Sequence, residues 1–375
     1  MIPTISTIPI QQLASGDRLD IQVYKFLGAQ PGKKVYLQSN LHGAEIVGNG
    51  VIHQLIEFLT TLDDSQLSGE IWLVPVCNPL STNQRNHFFS TGRYNIYDGK
   101  DWNRIFWDYE KEEENLEDFV QSQIDLEPDE IQKNYLERIL LGFKKQLEKI
   151  QSSSGVPFSE RYRYQLQSLC LDANYVIDIH SSSNQAIDYL YCFQSREESA
   201  KAFLLDYGIL MNEYDGDAFD EAFIKPWLAL EKKFAELEKP IQFDIDSWTL
   251  ELGSGMQMNP DSVKKSLFRI KNYLARKSVL KIRGFPLEST DVHLVNFTSK
   301  SNIKKYYAPT GGMIQSRVQL GCVIKAGERL YQLLSFNKKG ELPTLMDVCS
   351  EEDGLVFDVS TNHAVNQGEY VLSVM

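Results

Sequence analysis

Two stretches limit the fold of this chain more than any others. Residues 69–76, Gly-Glu-Ile-Trp-Leu-Val-Pro-Val, and residues 175–179, Tyr-Val-Ile-Asp-Ile, are apolar at nearly every position. A strand with one face in water alternates polar and apolar residues, whereas a near-continuous apolar run belongs to a sheet interior covered on both faces. Residues 188–193 and 241–252 give two further strands. Between these runs the apolar spacing changes to that of a helix. Val47, Val51, Leu55 and Leu59 recur at steps of four, as do Ile131, Tyr135, Ile139 and Phe143. Helices are also expected near 219–236 and from Pro260 to about 274, with Asp261 or Ser262 as a natural cap. Strands alternating with helices predict an α/β body.

A chain of 375 residues is long enough for two domains. We expect a catalytic body over 1–282, carrying a helical and acidic insert over about 108–172, and a β-rich domain over 283–375. The texture changes after Arg283-Gly284-Phe285-Pro286, where glycines begin to punctuate short β-prone runs. Two segments of this region echo each other: Val323-Ile324-Lys325-Ala326-Gly327-Glu328-Arg329-Leu330 and Ala364-Val365-Asn366-Gln367-Gly368-Glu369-Tyr370-Val371. The echo resembles the barrel-sandwich hybrid of biotinyl and lipoyl carrier domains. A carrier would present a modifiable lysine, but the intervening Pro343-Thr344-Leu345-Met346-Asp347-Val348 has none. The domain therefore reads as structural or as limiting access to a site.

Net charge is −13, which argues against nucleic acid as a partner, because backbone binding needs clustered Lys and Arg. Much of that charge is local: Asp108 to Glu130 holds eleven acidic residues against one lysine, and residues 108–127 are expected to be solvated. The first ten residues lack a basic start and a long apolar core, so no signal peptide is expected. No segment approaches the roughly 20 apolar residues of a membrane span. Cys77, Cys170, Cys192, Cys322 and Cys349 are odd in number and scattered, which suits reduced thiols in the cytoplasm. No sequence feature decides whether the chain associates with copies of itself.

The chemistry gathers at strand ends. The run 35–41 reads as a strand and the helix follows from about 46, so His42 and Glu45 sit across one tight turn. They are two thirds of a His₂Glu zinc site with one open position; the plain alternative is a buried histidine beside a surface glutamate. His180 ends a second apolar strand, where ligands of open α/β sheets collect, and it completes the set. His87, in the long loop 80–107, is the rival ligand, while His53 falls in the helix and His293 and His363 in the β domain. Asp178 shares a strand face with His180. It either holds that imidazole or accepts bonds from an arginine or the backbone. Glu251 ends another apolar strand, as a general base toward metal-activated water or as an ion-pair partner of a loop arginine. That loop carries Arg85, Arg93 and Arg104. Asn103-Arg104 can grip a carboxylate, and another arginine near the metal can stabilise an oxyanion.

Five motifs in order, His42-Gly43-Ala44-Glu45, Asn78-Pro79, Asp101-Trp102-Asn103-Arg104, Asp178-Ile179-His180-Ser181-Ser182 and Thr249-Leu250-Glu251-Leu252-Gly253, resemble the zinc carboxypeptidase-like hydrolases. The match is closest to the succinylglutamate desuccinylase/aspartoacylase branch. The resemblance implies a mixed sheet flanked by helices, with a small β-rich C-terminal domain over the site. It implies one zinc per chain on His42, Glu45 and His180, with Glu251 as the catalytic glutamate. It also implies that Arg93 polarises the scissile carbonyl and that Asn103 and Arg104, with Arg85 nearby, bind the substrate carboxylate. The expected activity is hydrolysis of the amide of an N-acyl amino acid or related small anionic amide. A metallocarboxypeptidase cutting the last residue of a peptide is the runner-up, and a catalytically silent binding protein the third reading. The long segment between Trp107 and Tyr175 departs from the branch and bears on which acyl group is admitted.

Overall fold

The computed structural model describes residues 1–375 except 88–89, 113–114, 151–154, 288–293 and 337. His293 lies outside the described residues. The body is a nine-stranded mixed sheet in the order β1 (Thr4–Gln12), β2 (Arg18–Leu27), β4 (Ser68–Val74), β3 (Gln30–Ser39), β5 (Tyr175–Ser182), β9 (Asp246–Ser254), β7 (Tyr189–Phe193), β8 (Tyr207–Met211) and β10 (Asn296–Ser299). The central pairs β4–β3, β3–β5 and β5–β9 are parallel, while β9–β7 and the β1–β2–β4 edge are antiparallel. The β5–β9 pair is the centre of the body, and both strands are buried over most of their length.

Helices cover both faces. On one, α1 (Val47–Thr60) and α8 (Pro260–Arg276) pack with Val35, Leu37, Ile177, Ile179, Trp248 and Leu250. α8 is capped by Asn259, whose side chain accepts from the backbone N–H groups of Asp261 and Ser262, so the cap lies before the residues expected for it. On the other face, α4 (Pro128–Ile150), α5 (Phe158–Gln167) and α7 (Phe219–Glu236) pack with Tyr36, Val176, Trp102 and Phe106. Side chains alternate along a strand, so Asp178, His180, Thr249 and Glu251 point to this second face, opposite Ile177, Ile179, Trp248 and Leu250. The acidic stretch departs from expectation. Asp108, Tyr109, Phe119 and Val120 are buried, with Asp108 held by Lys225 of α7 at 2.8 Å, because apolar residues interrupt the charges at helical spacing and find α7 to pack on.

The remaining strands form two smaller sheets. One runs β11 (Lys304–Tyr307), β18 (Tyr370–Val374), β16 (Gly354–Val359) and β13 (Val323–Ile324), and the other β15 (Thr344–Cys349), β14 (Arg329–Ser335), β12 (Gly312–Gln315) and β17 (Ala364–Val365). They enclose their own core of Ile324, Leu330, Leu333, Val356, Val365 and Leu372. The echo in the sequence is an echo in structure: β13 and β17 each lead into a turn closed by a glycine in the left-handed region, Gly327 at φ 83° and Gly368 at φ 82°. In each turn the next residue's carboxylate, Glu328 or Glu369, accepts the backbone N–H two residues before the glycine at 2.9 Å. The chain does not pass from body to β region at one point. β10 still joins the large sheet beside β8, and β6 (Gln185–Ala186), from the body, joins β16. No described helix is long and apolar enough to cross a membrane.

Candidate functional site

The turn after β3 is built by buried side-chain amides. Asn40 takes the left-handed conformation at φ 70°, which asparagine tolerates better than most residues, and its Nδ2 donates to the carbonyls of His42 and Gly43 at 3.1 and 3.0 Å. Asn78 Nδ2 donates to Leu41 O at 3.0 Å. Gly43 has a steric reason: a Cβ there would lie 2.2 Å from the carbonyl oxygen of Ser81. That close approach lets the arginine loop dock, with Ala44 N–H donating to Thr91 O at 3.0 Å and Ser81 Oγ to Gly92 O. One packed turn thus fixes His42, Glu45 and Arg93 together.

The two imidazoles converge on Glu45. His42 Nδ1 lies 2.9 Å from Glu45 Oε1 and His180 Nδ1 2.8 Å from Glu45 Oε2. Their outer nitrogens are held by carboxylates: His42 Nε2 by Asp101 Oδ1 at 3.0 Å, and His180 Nε2 by Asp178 Oδ2 at 2.8 Å. A carboxylate on Nε2 fixes the proton there, leaving each Nδ1 with a lone pair aimed at the anionic Glu45. Two such nitrogens and a carboxylate oxygen repel one another unless a cation lies among them. Candidate ligand atoms of His42, Glu45 and His180 lie within 4.8 Å of one another, and among the described residues they are the metal-competent group, without His87. Two imidazoles and one carboxylate suit a zinc ion with an open position, so the residues present fit the metal. Without a cation the same contacts favour imidazolium. Burial lowers the pKa of each histidine, but Glu45 with Asp101 at His42, and Asp178 with Glu45 at His180, outweigh it and raise both.

Asp101 is the site residue that the sequence reading missed. Its Oδ1 also accepts the N–H of Asn103 at 2.8 Å, and its Oδ2 accepts Arg93 Nε at 2.9 Å. Burial works against its charge, yet His42 and Arg93 hold the carboxyl well below its usual range. It stood inside a quoted motif, but nothing periodic in that loop says that it folds back onto His42. Arg93 reaches from Asp101 toward Glu45, with Nη1 3.8 Å from Oε1, and its side chain is 35% exposed. Glu251 stands opposite His180 in the β5–β9 ladder, and its buried Oε2 has no hydrogen-bond partner among the described residues. Burial, helped by Glu45 and opposed by His180, pushes its carboxyl up to about 7.

The other candidates are less central. Asn103 is buried, and its Oδ1 accepts the N–H of Phe219 at 2.8 Å, which ties the loop to the first turn of α7. Arg104 is exposed and donates to Asn103 O at 2.5 Å. Arg85 is exposed and turns back on its own loop, donating to Thr82 O and Gln84 O at 2.8 Å.

With this geometry in view, residues 31–143 match the model of the succinylglutamate desuccinylase/aspartoacylase catalytic domain, a span that holds His42, Glu45, Arg93 and Asp101. A family protein from Shewanella amazonensis is 29% identical over 99% of this chain and 98% of its own, at a TM-score of 0.87. Sequence and fold together resemble the succinylglutamate desuccinylase/aspartoacylase family. A second such protein, from Shewanella frigidimarina, is 25% identical over 100% of this chain and 97% of its own, with a TM-score of 0.89. An ectoine utilization protein from Ruegeria pomeroyi, in a product-bound structure, shares the fold at 15% identity, with 100% and 94% of the two chains covered and a TM-score of 0.65. No curated protein matches the chain. The two Shewanella structures align with its β region as well as its body.

Proposed function

We propose that this protein is a zinc-dependent deacylase that hydrolyses the amide of an N-acyl amino acid or a related small carboxylate-bearing amide. The observation that carries the reading is the pair of Nδ1 atoms converging on Glu45 while Asp101 and Asp178 hold the opposite nitrogens. Zinc bound by His42, Glu45 and His180 would supply a Lewis acid that polarises a carbonyl and makes water a better nucleophile. The protein's own groups carry the protons and the charge. Glu251, with a buried oxygen that lacks a partner and a carboxyl raised by burial, takes the proton of the attacking water and returns it to the leaving amine. Arg93, already oriented by Asp101, faces the negative charge that grows on the carbonyl oxygen. Arg104, exposed beside Asn103, is free to swing toward a substrate carboxylate and pair with it bidentately. Asn103 keeps that loop in register through its bond to Phe219. We assign residues 304–374 the task of limiting access, since they pair with β6, a few residues after His180. The free cysteines suit a cytoplasmic setting.

The test is turnover of a panel of N-acyl amino acids and blocked dipeptides by zinc-loaded protein, with Arg104→Ala alongside. We expect cleavage of an acyl amino acid that falls roughly tenfold or more in kcat/KM in the variant, the scale of a lost charged pair. Turnover confined to peptides would replace this reading with a carboxypeptidase. No turnover by a protein that binds zinc would leave a binding protein.

A further inference from the structure

The chain leaves the metal centre by a route that passes through the β region. Immediately after His180, residues Ser181 to Ser183 line Glu45: Ser181 N–H approaches Oε2 at 3.5 Å and Ser183 Oγ donates to Oε1 at 3.4 Å. Two residues later β6 departs from the body and pairs with β16, Ala186 opposite Asp358 and Gln185 opposite Val359. Ile187 N–H continues the contact to Phe357 O at 3.0 Å. The side chain of Asp358 then reaches back. It accepts the hydroxyl of Ser182, the residue between the two that touch Glu45, and on its other oxygen the hydroxyl of Tyr370 at 2.6 Å. Ser182 is held on its remaining sides as well, with Asn184 N–H donating to its Oγ at 3.0 Å and Gly255 N–H to its carbonyl at 2.5 Å. A mostly buried carboxylate facing two hydroxyl donors has a defined orientation, and Asp358 therefore fixes Ser182 against the body.

We propose that Asp358 is a positioning residue for the metal centre: through Ser182 it sets the 181–183 segment, the end of β5 and the residue after it, that aligns Glu45 and His180, so the β region is part of the site's framework and more than a cover. This rests on the reading of His42, Glu45 and His180 as metal ligands. Ordinary packing between the two regions would give the same contacts without that consequence. The difference is visible in metal affinity, because a ligand released from its outer partners binds metal more weakly even when the fold survives.

The experiment measures zinc affinity by chelator competition, with melting temperature in parallel, for the full chain and for Asp358→Asn, Ser182→Ala and Phe357→Leu. Asp358→Asn keeps the shape but turns an amide NH2, a donor, toward one of the two hydroxyl donors, and Ser182→Ala removes the link from the other side. Both should weaken zinc binding about tenfold, the low end for outer partners of a metal ligand. Phe357, which packs against Tyr189 at 5.5 Å between ring centres, tests the packing alone. Its leucine variant should lower the melting temperature and leave zinc affinity within about twofold, below that outer-partner range. Zinc affinities of Ser182→Ala and Asp358→Asn equal to that of the parent overturn the proposal. So does an equal loss in Phe357→Leu. If Asp358→Asn does not fold, Ser182→Ala decides. Failure of the parent chain to bind zinc would instead break the metal reading on which the inference stands.

Discussion

The two histidines of the centre are supported in different ways. His180 stands at the end of a strand, and the carboxylate that holds it, Asp178, lies two residues earlier on the same strand face, fully buried. His42 stands on a turn, and its carboxylate, Asp101, comes from a loop 59 residues further along and is shared with Arg93. One arm is rigid because the sheet makes it so. The other is assembled from separate pieces and is tied to the guanidinium of Arg93. The contrast teaches that equal ligand chemistry need not mean equal roles: the strand arm holds, and the loop arm both holds and communicates.

Glu251 gives the largest expected effect and sharpens the contrast, since it lies across the ladder from the strand arm. Glu251→Gln should keep zinc bound and lower kcat by about 10²–10⁴-fold, the usual contribution of a positioned base. Wild-type turnover in that variant would mean that the strand arm carries no proton-transfer group. Next comes the direct comparison. Asp178→Asn and Asp101→Asn should each weaken zinc binding about 10–100-fold. Measured at saturating zinc, only Asp101→Asn should also lower kcat, because it releases Arg93. Identical kinetics in the two variants would erase the distinction between the arms.

The smallest effect is on stability against pH. In metal-free protein both histidines have pKa values raised above the reference of 6.5 by their carboxylate partners. A raised value contributes stability that is fully present below the unfolded pKa and is lost as pH climbs through the folded one. Melting temperature of chelated protein should therefore fall as pH rises above 6.5, more through His180, whose pKa is raised well above the reference. Zinc reverses the trend, because its ligands must shed protons to bind. Melting temperatures of chelated and zinc-loaded protein that change in parallel as pH rises above 6.5 would count against both arms.

The same contrast explains what the sequence made legible. The strand arm was readable because period-two alternation puts Asp178 and His180 on one face, and the uniformly apolar runs announced a sheet covered on both sides. The hand-over from strand to helix located His42 and Glu45. Asp101 was not readable, because its role depends on how an aperiodic loop returns, fixed by contacts such as Ala44 to Thr91. Arg85 shows the reverse: three arginines in one loop suggested a common target, yet Arg85 bonds its own turn. Short or edge elements were also hidden. β1, β8 and α5 were missed, since an edge strand, a strand of five residues and a partly polar helix lack a strong period. β10 lies beyond residue 282, past the texture change, and still belongs to the large sheet because β8 offers it an open edge.

The crossing of β6 into the C-terminal sheet has a consequence in time as well as in space. Ser182 and Asp358 are separated by 176 residues, and a contact across so long a loop forms only after its closure entropy has been overcome. Topologies dominated by such distant pairings fold slowly. The body can collapse around its own helices, but the stretch after His180 acquires its last neighbours only when the most distal strands arrive. Amides at 185–187 should therefore gain protection from hydrogen exchange late during refolding, in step with those of β16 and behind those of β5. The centre would mature last, although the strand that carries His180 lies in the middle of the chain.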